Sequence, residues 1–164
     1  MEMNRLMKVQ QRVLEILLQH PLGNEKREAP KEYELSHLFG ILALVKVLSR
    51  KRGACEEDAS LMAVLHDLGR IVSGVQDGHA LRGEGPAREV LEKTGEFSRE
   101  EIEKIVKGVT SHSSKDEVGT AEEETVKDAD ILDYYLFGIP VTRESHRRRL
   151  RAVLNELGLQ CGDI

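Results

Sequence analysis

Histidine and aspartate side chains lie inside apolar stretches at three places in the chain. His37 is followed by Leu-Phe-Gly-Ile-Leu, and His66 and Asp67 are neighbours in Ala-Val-Leu-His-Asp-Leu-Gly. Asp130 lies in Lys-Asp-Ala-Asp-Ile-Leu-Asp. A buried polar side chain costs free energy unless it finds a partner. Imidazole and carboxylate groups together form a ligand set that divalent cations accept, so the pattern indicates a metal site.

The adjacent pair His66-Asp67 restricts where such a site can lie. Consecutive side chains of a helix diverge by about 100°, so both reach one ion only near a helix end. Gly69 is predicted to supply that end, as a left-handed residue closing a helix near 56–68. The carbonyl groups at a helix C-terminus carry partial negative charge, which favours a cation there.

The elements that must position these residues are predicted to be helices. Apolar residues recur every three or four positions, and convincing alternating strands are absent, so we expect an all-α single domain over residues 1–164. Four predicted helices run over about 3–20, 33–50, 56–68 and 142–158. Three more are predicted between them: one begins near Ala87, and two begin at capping boxes that start at Ser98 and Thr120. Residues 70–86 hold four glycines and are predicted to form a long connection.

The overall composition limits the kinds of binding partner that are expected. A net charge of −5 and only 4% aromatic residues argue against nucleic acid as a partner, and the arginines around His146 are interpreted as a solvated face. No apolar run approaches a membrane span, so a cytoplasmic protein without a membrane partner is expected. Cys55 and Cys161 are expected to be reduced thiols. A homo-oligomer remains open.

The ordered set of His37, the pair His66-Asp67, and Asp130 resembles the HD-domain superfamily, which is named for its His-Asp doublet. The resemblance covers about residues 33–138, and further motifs carry it: Leu-His-Asp-Leu-Gly-Arg at 65–70, His-Ala-Leu-Arg-Gly-Glu-Gly from His79, Thr-Ser-His-Ser around His112, and Lys-Asp-Ala-Asp-Ile-Leu-Asp at 127–133. It implies an HD-domain-like helical bundle in which His37, His66, Asp67 and Asp130 are the metal ligands.

The same resemblance implies a metal-dependent phosphohydrolase that cleaves a small phosphorylated substrate, a phosphomonoester of a metabolite or nucleotide, with a metal-activated water. The nitrogen and oxygen ligands suit Mn²⁺, Fe²⁺, Co²⁺, Ni²⁺ or Mg²⁺ and do not exclude Zn²⁺. Asp67 is the candidate catalytic base. His79 and His112 match histidines that bind a second metal or the phosphate, and Lys115 and Arg70 are further phosphate candidates. One ion needs fewer ligands and is favoured.

Alternatives remain at this stage. Arg70 occupies the place where nucleotidase-type relatives use a glutamate, and pairing with a surface acid is an equal interpretation of its role. A non-catalytic regulatory or structural metal domain, and a di-iron oxygenase, would use similar ligands. Substrate specificity is expected to come from pocket walls in the 70–86 and 113–119 segments, where no pattern identifies the substrate.

Overall fold

The structure, a computed structural model, describes residues 3–160. Within that range it contains nine α-helices, one short 3-10 turn and no β-strand, so the all-α prediction is confirmed. The helices are α1 (Arg5–Gln19), α2 (Lys31–Arg52), α3 (Glu56–Leu65), α4 (Leu68–Ser73), α5 (His79–Arg82), α6 (Glu84–Thr94), α7 (Arg99–Ser111), α8 (Ala121–Leu136) and α9 (Glu144–Glu156), with the 3-10 turn at Asn24–Lys26.

The helix α3 runs through the centre of the bundle. All its residues from Ala59 to Leu65 are buried, because α1, α2, α7 and α8 pack around it. The helix α2 packs against both α3 and α8. On α1, Val9, Val13 and Leu17 are fully buried, as their spacing predicts. The C-terminal end of α3 therefore opens into the interior of the protein, and His66 follows it there.

The break after α3 differs from the prediction. The helix ends at Leu65, so His66 and Asp67 form a two-residue turn before α4 begins. Gly69 is not a left-handed cap but a buried residue inside α4. A Cβ atom there would lie 2.1 Å from the carbonyl oxygen of His79, so glycine is needed for the close approach of α4 and α5.

The predicted long connection over 70–86 is mostly helical. The helices α4, α5 and α6 occupy it, and only residues 74–78 link α4 to α5. Gly74 and Gly78 have positive φ angles of 75° and 62°, at the end of α4 and the start of α5. These glycines thus lie at the ends of short helices. Composition alone does not distinguish such a series of short helices from a glycine-rich loop.

The two predicted capping boxes have different outcomes. Ser98 accepts from the amide of Glu101, whose side chain returns the hydrogen bond, so this capping box is complete. Thr120 accepts from the amide of Glu123. The Glu123 carboxylate is buried and accepts from Ser111 instead, 3.3 Å away. Packing against α7 therefore leaves the second capping box half formed.

Between residues 3 and 160, no helix combines the length and apolarity that crossing a membrane requires. Cys55 is exposed and free. Cys161 lies outside the described residues.

The contact between α4 and α5 gives a test of the fold. We expect Gly69→Ala to lower the free energy of unfolding by about 1–3 kcal/mol, because the added methyl group meets backbone atoms of His79 and Gly83. Urea unfolding measures this. Gly85→Ala is the control, since nothing lies within 4 Å of its Cβ position, and it should change stability by about 1 kcal/mol or less. Equal effects would contradict the close approach.

Candidate metal centre

The structure brings together the four residues proposed from the sequence as ligands. The Nε2 atom of His37 lies 3.1 Å from Nε2 of His66, 3.4 Å from Oδ2 of Asp67 and 3.3 Å from Oδ1 of Asp130. His66 Nε2 lies 3.1 Å from the same Asp67 oxygen. Helix α2, the turn after α3, and helix α8 each contribute to the group. The ligand atoms of His37, His66 and Asp130 all lie within 4.8 Å of one another, so one ion can contact these three, and Asp67 adjoins them through its contacts with both histidines.

A second group of histidines faces the other oxygen of Asp67. The Nε2 atom of His79 lies 3.1 Å from Asp67 Oδ1, and that of His112 lies 3.8 Å from it. The two Nε2 atoms are 2.9 Å apart. His66, Asp67 and His112 also form a cluster of suitable dimensions for an ion. The geometry therefore offers a second position beside the first, with Asp67 between them.

Hydrogen bonds at the other ring nitrogen determine how three of these histidines are protonated. Nδ1 of His66 contacts the Ala63 carbonyl at 2.7 Å, Nδ1 of His112 contacts the Val109 carbonyl at 2.7 Å, and Nδ1 of His79 contacts the Gln76 carbonyl at 2.6 Å. A carbonyl can only accept, so each Nδ1 donates. In each neutral ring, Nε2 therefore carries no proton, and its lone pair is directed at the centre.

His37 is held in the same way by a carboxylate. Its Nδ1 atom lies 2.6 Å from Oδ2 of Asp133, which accepts the hydrogen bond. Neutral His37 and His66 would therefore point two lone pairs at each other across 3.1 Å, which repels unless a proton or a metal ion lies between them. The donor set fits a divalent cation, and hydrogen bonds of this kind orient metal-binding histidines.

The carboxylates of Asp67, which is buried, and of Asp130, which is partly buried, are held in their charged form. Burial opposes ionisation of Asp67, but the neighbouring His66 and Arg70, together with the hydrogen bond to His37, outweigh it and hold the pKa of Asp67 well below its usual range. Burial likewise opposes ionisation of Asp130, whereas Lys115 contributes most to holding its pKa well below the usual range. Both carboxylates are therefore available as anionic ligands at any physiological pH.

The histidines differ in charge. Burial, with a smaller contribution from the nearby His66, lowers the pKa of His112 to about 3, so His112 is neutral. Burial also disfavours charge on His37, but hydrogen bonds to Asp130 and Asp133 outweigh it and raise the pKa of His37 well above its usual value. In the absence of an ion, a proton on His37 thus supplies positive charge to the cluster.

Arg70 and Lys115 both line the cavity and are both paired with carboxylates. Arg70 donates two hydrogen bonds of 2.9 Å to the buried Glu34 and also contacts Asp67. Its partners are buried acids, not the surface acid considered from the sequence. Lys115 donates to Oδ2 of Asp130 at 2.6 Å. Both cations therefore position the carboxylates of the centre.

Sequence reasoning gave Asp133 and Glu34 no role. Asp133 entered the sequence analysis only as the end of the motif at 127–133, whereas the structure places it against His37. Its approach depends on Gly40 of α2, where a Cβ atom would lie 1.9 Å from Asp133 Oδ1. A carboxylate one turn beyond Asp130, after the apolar pair Ile131-Leu132, was a usable signal for this contact. Glu34 carried no such signal, because its partner Arg70 is 36 residues away.

A cavity of about 440 Å³ opens onto the cluster. Gln76, Asp77 and Ser113 line it from the two segments in which specificity was expected. The opposite wall was not foreseen, and it consists of residues 139–143 with His146 at the start of α9. Gly138, with φ of 84°, lies in the turn that closes α8, where the Ile139 amide donates to the Tyr134 carbonyl, and this wall follows the turn. The sequence signal was Gly-Ile-Pro directly after the ligand-bearing helix.

Comparisons with known proteins agree with this helical fold. The HD domain family matches residues 35–135, and the chain belongs to this family. A crystal structure of a predicted HD superfamily hydrolase from an uncultured Thermotogales bacterium is similar in fold, with a TM-score of 0.59 and 21% sequence identity. The similarity covers 90% of this chain and 88% of the other. Among curated proteins, none matches the chain significantly.

The hydrogen bond from His37 to Asp133 can be tested through metal affinity. We expect Asp133→Ala to weaken Mn²⁺ binding by roughly 10–100-fold, because the ring loses the acceptor that orients it. The measurement is titration calorimetry with Mn²⁺. Asp128→Ala is the matched control on the same helix, since Asp128 pairs with Arg52 and Arg149 away from the centre. Equal weakening in both variants would remove the assigned role of Asp133.

The raised pKa of His37 predicts a pH dependence. Below that pKa a proton occupies the nitrogen that an ion would need, so the two compete. We expect Mn²⁺ affinity to rise with pH from 6 to 8, by about tenfold per unit if one proton leaves per ion. Competition with a metal-sensitive dye at constant ionic strength measures this. Affinity independent of pH would mean that His37 is already neutral.

Proposed function

We propose that the protein is a metal-dependent phosphohydrolase that cleaves a phosphomonoester of a small metabolite or nucleotide. One observation carries the proposal: Asp67 turns its two oxygens toward two sets of histidines at the base of an open cavity. A site that only stabilised the fold would have no need of a ligand-sized opening beside it. Cavities of roughly 300–1,000 Å³ are typical of small-molecule sites.

In this proposal His37, His66, Asp67 and Asp130 hold a divalent cation. His79 and His112, with the second Asp67 oxygen, hold either a second ion or the phosphate. When bound, such ions neutralise phosphoryl charge and lower the pKa of water, which supplies a nucleophile at neutral pH. Mixed nitrogen and oxygen ligands are compatible with Mn²⁺, Fe²⁺, Co²⁺, Ni²⁺ or Mg²⁺, and with Zn²⁺.

The surroundings of Asp67 favour a ligand role over the role of catalytic base suggested from the sequence. Its pKa is well below the usual range, so it is a weak acceptor of a proton at neutral pH. Arg70 also occupies the oxygen that faces His66. Lys115 lies on the cavity wall beside Asp130, where its ammonium group can contact a phosphate without leaving its carboxylate partner.

Metal removal tests the proposal. We expect chelation to abolish phosphate release from a panel of phosphomonoesters, and Mn²⁺, Co²⁺ or Ni²⁺ to restore it. Helical circular dichroism of the same chelated sample should largely persist, because the apolar core is sufficient without an ion. Loss of the helical signal on chelation, with no turnover under any metal, would instead support a structural metal domain.

Two variants and one further measurement complete this experiment. Asp67→Ala should abolish hydrolysis, since it removes a ligand from both positions. His20 lies outside the cluster, so the control variant His20→Ala should retain hydrolysis. Hydrolysis by Asp67→Ala within a few-fold of the wild type would contradict the proposal. Oxygen consumption without phosphate release would identify an oxygenase in its place.

A further inference from the structure

Arg143 differs from the other arginines of its segment. Those of α9 are engaged: Arg147 donates to the Val141 carbonyl, Arg148 pairs with Asp116, Arg149 pairs with Asp128, and Arg151 pairs with Glu144. This pairing supports the interpretation of that surface as a solvated face. Arg143 makes no ion pair with any residue between 3 and 160, is exposed, and lines the cavity. Its charge therefore faces the space where a ligand would lie.

The other strong cations of the cavity are already engaged. Arg70 is bound to Glu34, and Lys115 is bound to Asp130. His146 stands on the same wall as Arg143, and its ring makes no hydrogen bond within the described part of the chain. Burial lowers the pKa of His146, and the positive charges of Lys115 and Arg143 lower it further. The His146 ring therefore lies near both of these cationic side chains. Arg143 and His146 thus form an unused donor pair.

The cavity between this pair and the metal centre has an apolar side. Tyr134, Ile139 and Val141 line it, and they suit the organic body of a ligand. The volume of about 440 Å³ far exceeds what a phosphate group alone would fill. Asp77 also lines the cavity and is exposed, so it would repel an anion close to it. A second negative group on the ligand is therefore directed toward Arg143.

We infer that the substrate carries a second anionic group, a carboxylate or a second phosphate, which Arg143 and His146 bind while the scissile phosphate lies at the histidine cluster. This inference rests on the proposed phosphohydrolase function and makes the substrate class narrower. Arginine is suited to the task because its planar guanidinium binds carboxylate and phosphate through two parallel hydrogen bonds. Arg143 and His146 are then specificity-determining residues, far in sequence from the ligands.

Matched substrates test the inference. We compare 3-phosphoglycerate with glycerol 3-phosphate, and ribose 1,5-bisphosphate with ribose 5-phosphate, measuring kcat/KM in the Mn²⁺-loaded protein. In the first pair a carboxylate replaces a hydroxymethyl group, and in the second a phosphate replaces a hydroxyl group, so for the bisphosphate the released product is identified to show which phosphate is cleaved. The wild type should prefer at least one doubly anionic substrate over its partner. The pair that shows the larger preference indicates whether the second group bound by Arg143 is a carboxylate or a phosphate. Arg143→Met should reduce that preference roughly tenfold or more, as expected for one lost charge-assisted hydrogen bond.

Arg148→Met is the matched control, because Arg148 is an exposed arginine of the same segment that pairs with Asp116 outside the cavity. It should leave the preference unchanged, and His146→Gln should reduce it in the same direction as Arg143→Met. An equal preference in wild type and Arg143→Met would overturn the inference. So would equal kcat/KM values within both pairs in the wild type.

A binding measurement separates failure of this inference from failure of the proposed function. If no phosphomonoester is hydrolysed, the phosphohydrolase proposal fails, and thermal shifts of the Mn²⁺-loaded protein with the same compounds decide the rest. A larger shift with the doubly anionic compounds that disappears in Arg143→Met supports the anion subsite. Equal shifts within each pair, or shifts unaffected by Arg143→Met, overturn it.

Discussion

At the centre of the bundle, histidine lone pairs and carboxylate charges face one another where little water reaches them. Such a group is costly to bury, since each ion loses its hydration and the nitrogens repel one another. Positive charge has to offset this repulsion. Arg70, Lys115 and a proton on His37 supply part of it, and the remaining ligand atoms are arranged as a divalent cation would require. The orientation of the side chains around the centre depends on this balance.

The histidines are held by the ends of helices. His66 follows α3 and His112 follows α7, and each donates to a carbonyl three residues earlier. The last carbonyls of a helix lack partners within it, so each ring satisfies one of them and becomes oriented at the same time. His79 uses the carbonyl of Gln76 similarly, at the start of α5. The same contact thus caps the backbone and directs Nε2 inward.

The centre is closed on one side and open on the other. Behind it, Glu34 and Asp133 anchor Arg70 and His37 through buried hydrogen bonds, and Gly40 lets α8 approach α2 closely enough for this. In front of it, the chain after α8 forms a wall around a cavity. Rigid support behind and space in front are what a reaction site requires, because the ligands must stay fixed while a substrate enters.

The sequence by itself determined the helical class, the buried faces and the four residues proposed as ligands. These follow from local causes, namely the helical repeat of apolar residues and the cost of burying His37 or the His66-Asp67 pair without a partner. Only the tertiary structure decided that the helix ends before His66, that the two oxygens of Asp67 face different histidines, and that Glu34 holds Arg70. The tertiary structure also decided that residues 139–143, beyond Gly138, form a wall of the cavity. Each of these depends on contacts between segments distant in sequence, which no local periodicity records.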